Sequence, residues 1–280
     1  MSDQAKLDER LLGFHQVNVL QKWTTQQFID GMRRHGIGVV AIWRDKLREH
    51  GAPAVARMLR GTGLSVLSLC PAGLIAAPDP GEAASALDDV KRAIDEAATI
   101  GAGSLMFVAG GVDPRDKNLE ATRQRVLERL AGFTAYARAA GIRIALEPLH
   151  PMACGSRSVL SSVRIANDWC DTLGAEDVFG IAIDTYAVWW DPDLPRELAR
   201  AGKRICNFHI ADWLADTQDL RLDRGMPGDG LIDIPGIRRL VEAAGYTGHR
   251  EVEIFSARNW WQRDPDEMIR IVKERYQTAV

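Results

Sequence analysis

The sequence predicts a single-domain (β/α)8 barrel, and two observations carry this prediction. Seven times along the 280 residues, a helical segment ends at a glycine and a short run rich in Val, Ile and Leu follows. An N-terminal run, Leu11–Val17, adds an eighth candidate strand. Helix–strand alternation at this spacing is typical of a parallel sheet with right-handed crossovers, and eight such units close a barrel.

The glycine-led runs define where the strands should lie. A glycine after the last helical turn takes the left-handed conformation that ends a helix, and near-continuous apolar runs are expected where both sheet faces are covered. A doubly wound open sheet is the alternative, but it requires a glycine-rich phosphate-binding turn after the first strand, and residues 14–23 contain no glycine. The seven runs fall within 34–42, 61–69, 99–108, 139–147, 172–184, 200–210 and 243–255.

The segments between the strands have the apolar spacing of amphipathic helices. Thr24 followed by Gln27 is the pattern of a capping box, so a helix should begin there. Pro235 and Pro265 suit the first turn of a helix. The other predicted helices cover 88–100, 119–140, 159–173, 235–244 and 265–276.

Composition excludes several classes of function. With 46% hydrophobic and 26% charged residues, the chain is an ordinary globular protein with enough apolar material for a core. A net charge of −3 gives no basic surface for nucleic acid or for an anionic membrane. No apolar run approaches the roughly 20 residues of a membrane span. Without a secretory signal at the N-terminus, we expect a cytoplasmic protein whose four cysteines are reduced.

Polar side chains end four consecutive predicted strands. The residues are Glu147, Asp184, His209 and Glu253, and in barrels the carboxyl ends of the strands carry the chemistry. Any one of them alone could simply cap the next helix, Asp184 above all. Four together favour a shared ion, because a buried charge without a partner is costly. Oxygen ligands with a single imidazole suit Mn²⁺, Mg²⁺ or Co²⁺ better than a structural Zn²⁺.

A family resemblance rests on five motifs whose order and spacing are specific to one superfamily, although not to one substrate. They are ALEPLHP (145–151), IDTYAVWWDPDL (183–194), FHIADW (208–213), DRGMPGDGLID (223–233) and EVEIF (251–255). On these residues the chain resembles the sugar phosphate isomerase/epimerase family, the xylose-isomerase-like TIM barrels that include ketose 3-epimerases and hydroxypyruvate isomerases. The resemblance covers most of the chain.

The resemblance implies one divalent metal ion held by Glu147, Asp184, His209 and Glu253, with Mn²⁺ as the first expectation and Mg²⁺, Co²⁺ or Zn²⁺ as alternatives. It also implies that Glu147 and Glu253 are the acid/base pair of an isomerase or epimerase acting on a small sugar or keto-sugar. A metal that chelates a carbonyl and its neighbouring hydroxyl acidifies the C–H between them and stabilises the ene-diolate. By family habit we expect a homo-oligomer, a dimer or a tetramer.

Five residues are expected to contact the substrate. Arg224 matches a substrate-binding arginine of relatives and lies on a glycine-rich loop, which as an alternative could be only a surface turn. Asp212 is expected to contact the substrate or to support a metal ligand. Because no cluster of Lys and Arg marks a phosphate site, an unphosphorylated substrate is favoured. The full set is Arg224, Asp212, Trp43, Trp213 and His15.

The chain departs from the family pattern at two places, which leaves the reaction open. Relatives carry His where this chain has Ala187, and Tyr-x-x-Asp-Arg where it has the segment from Ala153 to Arg157. His150 follows Glu147 closely enough to be an alternative base. The alternative function is therefore a metal-dependent lyase or dehydratase that acts by β-elimination on a 3-keto sugar, a glycoside or an inosose. An abasic-site endonuclease and a non-catalytic sugar-binding protein are less favoured readings.

Overall fold

The computed structural model describes residues 6–280 and contains a closed barrel of eight parallel strands with helices between them. The predicted (β/α)8 fold class is confirmed. The barrel strands are β1 (Leu12–His15), β2 (Val39–Trp43), β3 (Ser65–Gly73), β4 (Ser104–Val108), β5 (Arg143–Leu146), β6 (Phe179–Asp184), β7 (Ile205–Ile210) and β10 (Arg250–Val252). The short strands β8 (Asp212–Trp213) and β9 (Arg224–Gly225) form an antiparallel ribbon after β7.

Helices lie between successive strands, as the alternation predicted. They are α1 (Thr25–Arg34), α2 (Arg44–Arg48), α3 (Ala52–Leu59), α4 (Pro80–Thr99), α5 (Leu119–Ala131), α6 (Thr134–Ala140), α7 (Val163–Leu173), α8 (Thr185–Val188), α9 (Leu194–Ala201), α10 (Ile234–Ala243) and α11 (Pro265–Thr278). The barrel closes where β1 pairs with β10 on one side and with β2 on the other. Among residues 6–280, no helix has both the length and the apolar character to cross a membrane.

The strands separate two hydrophobic regions because successive side chains point to opposite faces. Large apolar side chains of the outer face, such as Ile181 and Ile183 of β6, pack in the main core with the helices. A separate cluster contains the small Ala145 and Ala182 of the inner face together with the larger Trp43 and Met106.

Local sequence signals explain most helix boundaries. The predicted capping box at the start of α1 is present, since Gln27 N–H donates to Thr24 Oγ1 at 3.2 Å and Thr24 N–H donates to Gln27 Oε1 at 2.9 Å. Gly141 and Gly174 end α6 and α7 in the left-handed conformation, with φ of 68° and 58°. As predicted, glycines in the left-handed conformation end these helices just before the next strand.

Several predicted boundaries were wrong. The predicted helix 119–140 is two helices, α5 and α6, which are separated at Gly132 and Phe133. The predicted strand Leu11–Val17 is shorter, because a 3₁₀ turn begins at Gln16. The helix predicted at 88–100 begins earlier, at Pro80, where the Asp79 side chain accepts Glu82 N–H and caps it. None of the four cysteines forms a disulfide.

Candidate functional site

A pocket opens among the loops that follow the barrel strands and encloses about 790 Å³, including its mouth. Glu147 and Glu253 contribute to its lining, as do Trp43 and Phe255, which supply apolar surface. The pocket thus combines buried carboxylates with aromatic faces.

Three of the residues predicted from the strand ends lie together beside this pocket. The Oε1 atom of Glu147 is 3.2 Å from His209 Nδ1, and the Oε2 atom of Glu253 is 3.7 Å from the same nitrogen. One ligand atom from each residue lies within 4.8 Å of the others. All three side chains are buried. The convergence arises because β5, β7 and β10 end at the same edge of the barrel.

The donor set of this cluster fits a divalent metal ion. Both ring nitrogens of His209 are buried, and neither is aligned for a hydrogen bond with any residue in the 6–280 range. A buried imidazole nitrogen that faces two carboxylates without a hydrogen bond is the arrangement that a shared cation would satisfy. Carboxylate oxygens with one imidazole are suitable for Mn²⁺, Mg²⁺ or Zn²⁺.

Asp184, the fourth predicted ligand, is paired with Arg224. The Arg224 Nη1 atom donates to Asp184 Oδ2 at 3.0 Å and to Glu253 Oε2 at 3.1 Å. The second oxygen of Asp184 accepts Tyr186 N–H at 3.0 Å, so this residue also caps the next helix, which was the alternative reading. The guanidinium lies 4.5 Å from the Tyr186 ring centroid and 4.9 Å from that of Phe255. Arg224 therefore binds two carboxylates between two aromatic rings.

Glu251 is a buried carboxylate that the sequence analysis missed. Its Oε1 atom accepts Asn207 Nδ2–H at 3.0 Å and lies 3.3 Å from His209 Nε2. The Nε2 side of the imidazole thus faces Glu251, and the Nδ1 side faces Glu147 and Glu253. A carboxylate behind a metal-binding histidine fixes the ring and its tautomer. The signal was available, since Glu251 lies two residues before Glu253 in the strand register and shares its inward face.

His15 and Cys70 form a second group with Glu253, in which one ligand atom from each residue lies within 4.8 Å of the others. His15 Nε2 is 3.4 Å from Glu253 Oε1, and His15 Nδ1 accepts Val17 N–H at 3.1 Å. Because a backbone N–H can only donate, the neutral ring must carry its proton on Nε2, towards Glu253. His15 is fully buried behind Glu253 and is not part of the pocket lining.

Burial and the charges of the cluster shift the pKa values of its side chains. Burial raises the pKa of the Asp184 carboxyl to about 6, although the Arg224 guanidinium favours the anion. Burial, with the nearby charge of His209, lowers the pKa of His15 to about 3, so that this ring is neutral. Burial disfavours a charged His209, but Glu251 and Glu253 outweigh it and raise its pKa well above the ordinary value. The surrounding carboxylates thus favour a positive charge at this position.

Of the remaining predicted site residues, some line the pocket and one lies behind it. Trp43 lines the pocket, whereas Trp213 lies behind it and stacks on Tyr186 with ring centroids 4.8 Å apart. His150 lines the pocket, and its ring centroid is 5.0 Å from that of Trp213. Its Nδ1 accepts Met152 N–H at 3.3 Å, which uses the lone pair that a general base would need.

Asp212 organises the glycine-rich loop, residues 223–232. Its Oδ2 atom accepts Gly228 N–H and Gly230 N–H at 3.0 and 2.9 Å, and its Oδ1 atom accepts Ile232 N–H at 3.0 Å. Both oxygens are therefore engaged by the backbone of the loop. The loop is more than a surface turn, because it carries the buried Arg224 into the site.

The family profile described as xylose isomerase-like TIM barrel matches residues 29–274. The chain belongs to this family. A comparison with functionally curated proteins finds no match.

Solved structures give the same fold. Protein SMc04130 from Sinorhizobium meliloti 1021 is 44% identical, with a TM-score of 0.94 over 97% of this chain and 99% of that chain. The IolI protein with a bound zinc atom is 19% identical, with a TM-score of 0.84 over 96% and 97% of the two chains. The 3-keto-D-glucoside 4-epimerase YcjR from E. coli, in its apo form, is 18% identical, with a TM-score of 0.75 over 96% and 99%.

The two positions that depart from the expected pattern of this xylose isomerase-like family both line the pocket. Ala187 and Ala153 present methyl groups where the resemblance predicts an imidazole and a phenol. Neither is part of the cluster of Glu147, His209 and Glu253. The departures thus change the surface that would contact a substrate and leave the cluster intact.

Proposed function

We propose that the protein is a divalent-metal-dependent isomerase or epimerase of a small keto-sugar. The observation that carries the proposal is the convergence of the Glu147 and Glu253 carboxylates on His209 Nδ1 beside the pocket. Membership of the xylose isomerase-like family supports it, as do the zinc atom of IolI and the epimerase activity by which YcjR is named.

Glu147, Asp184, His209 and Glu253 would hold the ion, with Mn²⁺ as the first expectation and Zn²⁺ as an alternative. When bound, the ion would polarise a substrate carbonyl and its neighbouring hydroxyl and so acidify the C–H between them. Asp184 would join this set as a carboxylate ligand, and its Oδ2 atom accepts from Arg224 in the structure. Glu251 would keep the His209 ring oriented with Nδ1 towards the ion.

Glu147 and Glu253 are proposed as the acid/base pair. Both carboxylates reach the pocket, so one can take the proton from the substrate carbon and the other can return a proton to the neighbouring carbon or to the opposite face. Arg224 donates to Glu253 and would also contact substrate oxygens. Trp43 and Phe255 would exclude water from the reacting carbon. The geometry of Asp212 assigns it to the loop, and we place Trp213 and His15 behind the substrate contacts.

The alternative lyase reaction needs a different base. The neutral tautomer of His150 carries its proton on Nε2, because Nδ1 accepts Met152 N–H. Removing a substrate proton with His150 would first require that bond to break. Glu147 and Glu253 need no such change, and this favours the isomerase or epimerase.

Proton exchange with solvent tests the proposal directly. The metal-loaded protein is incubated in D₂O with a panel of keto-sugars, and NMR follows deuterium at the carbons next to the carbonyl. We expect exchange without net loss of substrate. Glu147→Gln and Glu253→Gln should each slow it by about 10²–10⁴-fold, the usual contribution of general acid–base catalysis.

The matched control is Glu128→Gln, an exposed glutamate that accepts Gln124 Nε2–H on a helix surface. This variant should exchange deuterium at the wild-type rate. Exchange that survives the loss of both Glu147 and Glu253 would refute the acid/base assignment. An alkene product instead of exchange would favour the lyase.

A further inference from the structure

Two arginines of the pocket have no carboxylate partner. Arg157 and Arg221 both line the cavity that Glu147 and Glu253 also line. Over residues 6–280, no carboxylate oxygen lies within 4.0 Å of either guanidinium, and neither donates a side-chain hydrogen bond. Arg157 is half-buried and Arg221 is exposed, so both guanidiniums are free to bind an anionic group of a ligand in this pocket.

The arginines that are buried in the structure each pair with a carboxylate. Arg44 is buried against Asp89 and Glu96, with N–O distances of 2.6 Å to each. Arg224, at the floor of the pocket, is bound by Asp184 and Glu253. Arg157 is half-buried, and within residues 6–280 its guanidinium has neither a carboxylate partner nor the backbone carbonyl partners that the half-buried Arg129 and Arg143 have.

The backbone holds Arg157 at a fixed place on the pocket wall. Arg157 N–H donates to the Ala153 carbonyl at 2.8 Å, and its own carbonyl accepts Gly110 N–H at 3.0 Å. The next residue, Ser158, is fully buried. The guanidinium is therefore presented from an ordered segment.

Arg221 is exposed, and hydrogen bonds to the backbone hold the second lining segment that carries it. Asp219 Oδ1 accepts the backbone N–H groups of Arg221 and Leu222 at 2.8 and 3.0 Å. The Leu222 carbonyl accepts Ala257 N–H at 2.8 Å, which ties this segment to the end of β10. Burial lowers the pKa of Arg157, and the positive charge of Arg221 lowers it further, whereas the Glu147 carboxylate raises it.

We propose that Arg157 and Arg221 bind an anionic group of the substrate, a carboxylate or a phosphate, in the pocket that Glu147 and Glu253 also line. The proposal rests on the isomerase or epimerase function above and adds its substrate class. Guanidinium groups bind both kinds of anion through paired N–H donors. The expectation of an unphosphorylated substrate rested on the lack of a Lys and Arg cluster in the sequence, and these two arginines are far apart in the sequence.

Calorimetric titration of the metal-loaded protein tests this without turnover. The ligands are D-fructose, D-fructose 6-phosphate and D-fructuronate, which share the keto-sugar and differ in the anion. We expect at least one anionic ketose to bind about 10-fold tighter than fructose. Arg157→Gln and Arg221→Gln should each remove most of that preference and leave the affinity for fructose unchanged. Arg157→Lys, which keeps the charge and loses the paired donors, should retain part of the preference.

The matched control is Arg138→Gln, an exposed arginine paired with Asp177 near the end of α6. It should keep the full preference. The more tightly bound of the two anions identifies the group as phosphate or carboxylate. Equal affinity for all three ligands, no binding of either anionic ketose, or an unchanged preference in both pocket variants would overturn the proposal.

Deuterium exchange on the same ligands separates the two proposals. An anionic ketose that binds through Arg157 and exchanges no deuterium refutes the isomerase or epimerase and leaves the anion site standing. Exchange on fructose that is as fast as on the anionic ketoses, and unaffected by the arginine variants, refutes the anion site alone.

Discussion

Replacing Glu251 by glutamine tests whether this buried carboxylate acts through His209. The carboxylate accepts from Asn207 Nδ2 at 3.0 Å and from Ser68 Oγ at 3.4 Å, and it lies 3.3 Å from His209 Nε2. Glutamine has the same shape, and its oxygen can remain towards Asn207 and His209. The Ser68 hydroxyl can turn to accept from the new amide. The substitution therefore removes the charge and preserves the contacts.

The expected effect follows from the negative charge that Glu251 places 3.3 Å from His209 Nε2, where it orients the ring and raises the basicity of Nδ1. A loss of about 1.4 kcal/mol corresponds to a tenfold weaker equilibrium. We expect Glu251→Gln to weaken metal binding about 10-fold, the lower end of the range of about 10–100-fold seen for residues that orient a metal ligand.

Competition with a chelator measures the dissociation constants for Zn²⁺ and Mn²⁺ at neutral pH. Glu128→Gln provides the matched exposed control and should bind as the wild type does. Circular dichroism checks that the variants are folded. Unchanged metal affinity in Glu251→Gln would refute the reasoning, because the charge behind His209 would then have no influence on the ion.

Three further predictions concern the barrel and its loop. Gly13→Ala should lower the free energy of unfolding in urea by about 1–3 kcal/mol, because a Cβ at this position would lie 2.9 Å from Glu251 Cγ. The control is Gly38→Ala, since a Cβ there would have no atom within 4 Å. Burial opposes ionisation of Glu197, but hydrogen bonds from neighbouring side chains outweigh it and lower its pKa. The ionised Glu197 carboxylate therefore stabilises the fold above the ordinary glutamate pKa, and this stabilisation is lost as the pH falls through the lowered pKa. The difference in the free energy of unfolding between wild type and Glu197→Gln should shrink in acid. Asp212→Asn should speed amide hydrogen exchange in the glycine-rich loop, and unchanged protection would contradict its assigned role.

The fold and part of the site were predictable because they depend on local patterns. Apolar runs after glycines fix the strands, and parallel strands of a barrel end at one edge. Glu147, His209 and Glu253 could therefore be expected to meet once their strands were recognised. The roles of these residues in metal binding and proton transfer remain a prediction.

Interactions between distant segments could not be predicted from the sequence. The pairing of Asp184 with Arg224 depends on how the glycine-rich loop folds over β6. The same loop takes both carboxylate oxygens of Asp212, which no motif indicated. Glu251 looked like an ordinary strand residue until its contact with His209 was seen.

By itself, the sequence determined the eight-stranded barrel and the set of polar residues at its carboxyl end, because backbone conformation and the alternation of strand faces follow from neighbouring residues. Only the tertiary structure decided which charges are paired and which face the pocket. Arg44 begins α2 and Arg157 lies between β5 and α7, yet the first is held by Asp89 and Glu96 and the second has no carboxylate partner within residues 6–280. That difference depends on distances between segments remote in the chain, and electrostatic energy depends on those distances.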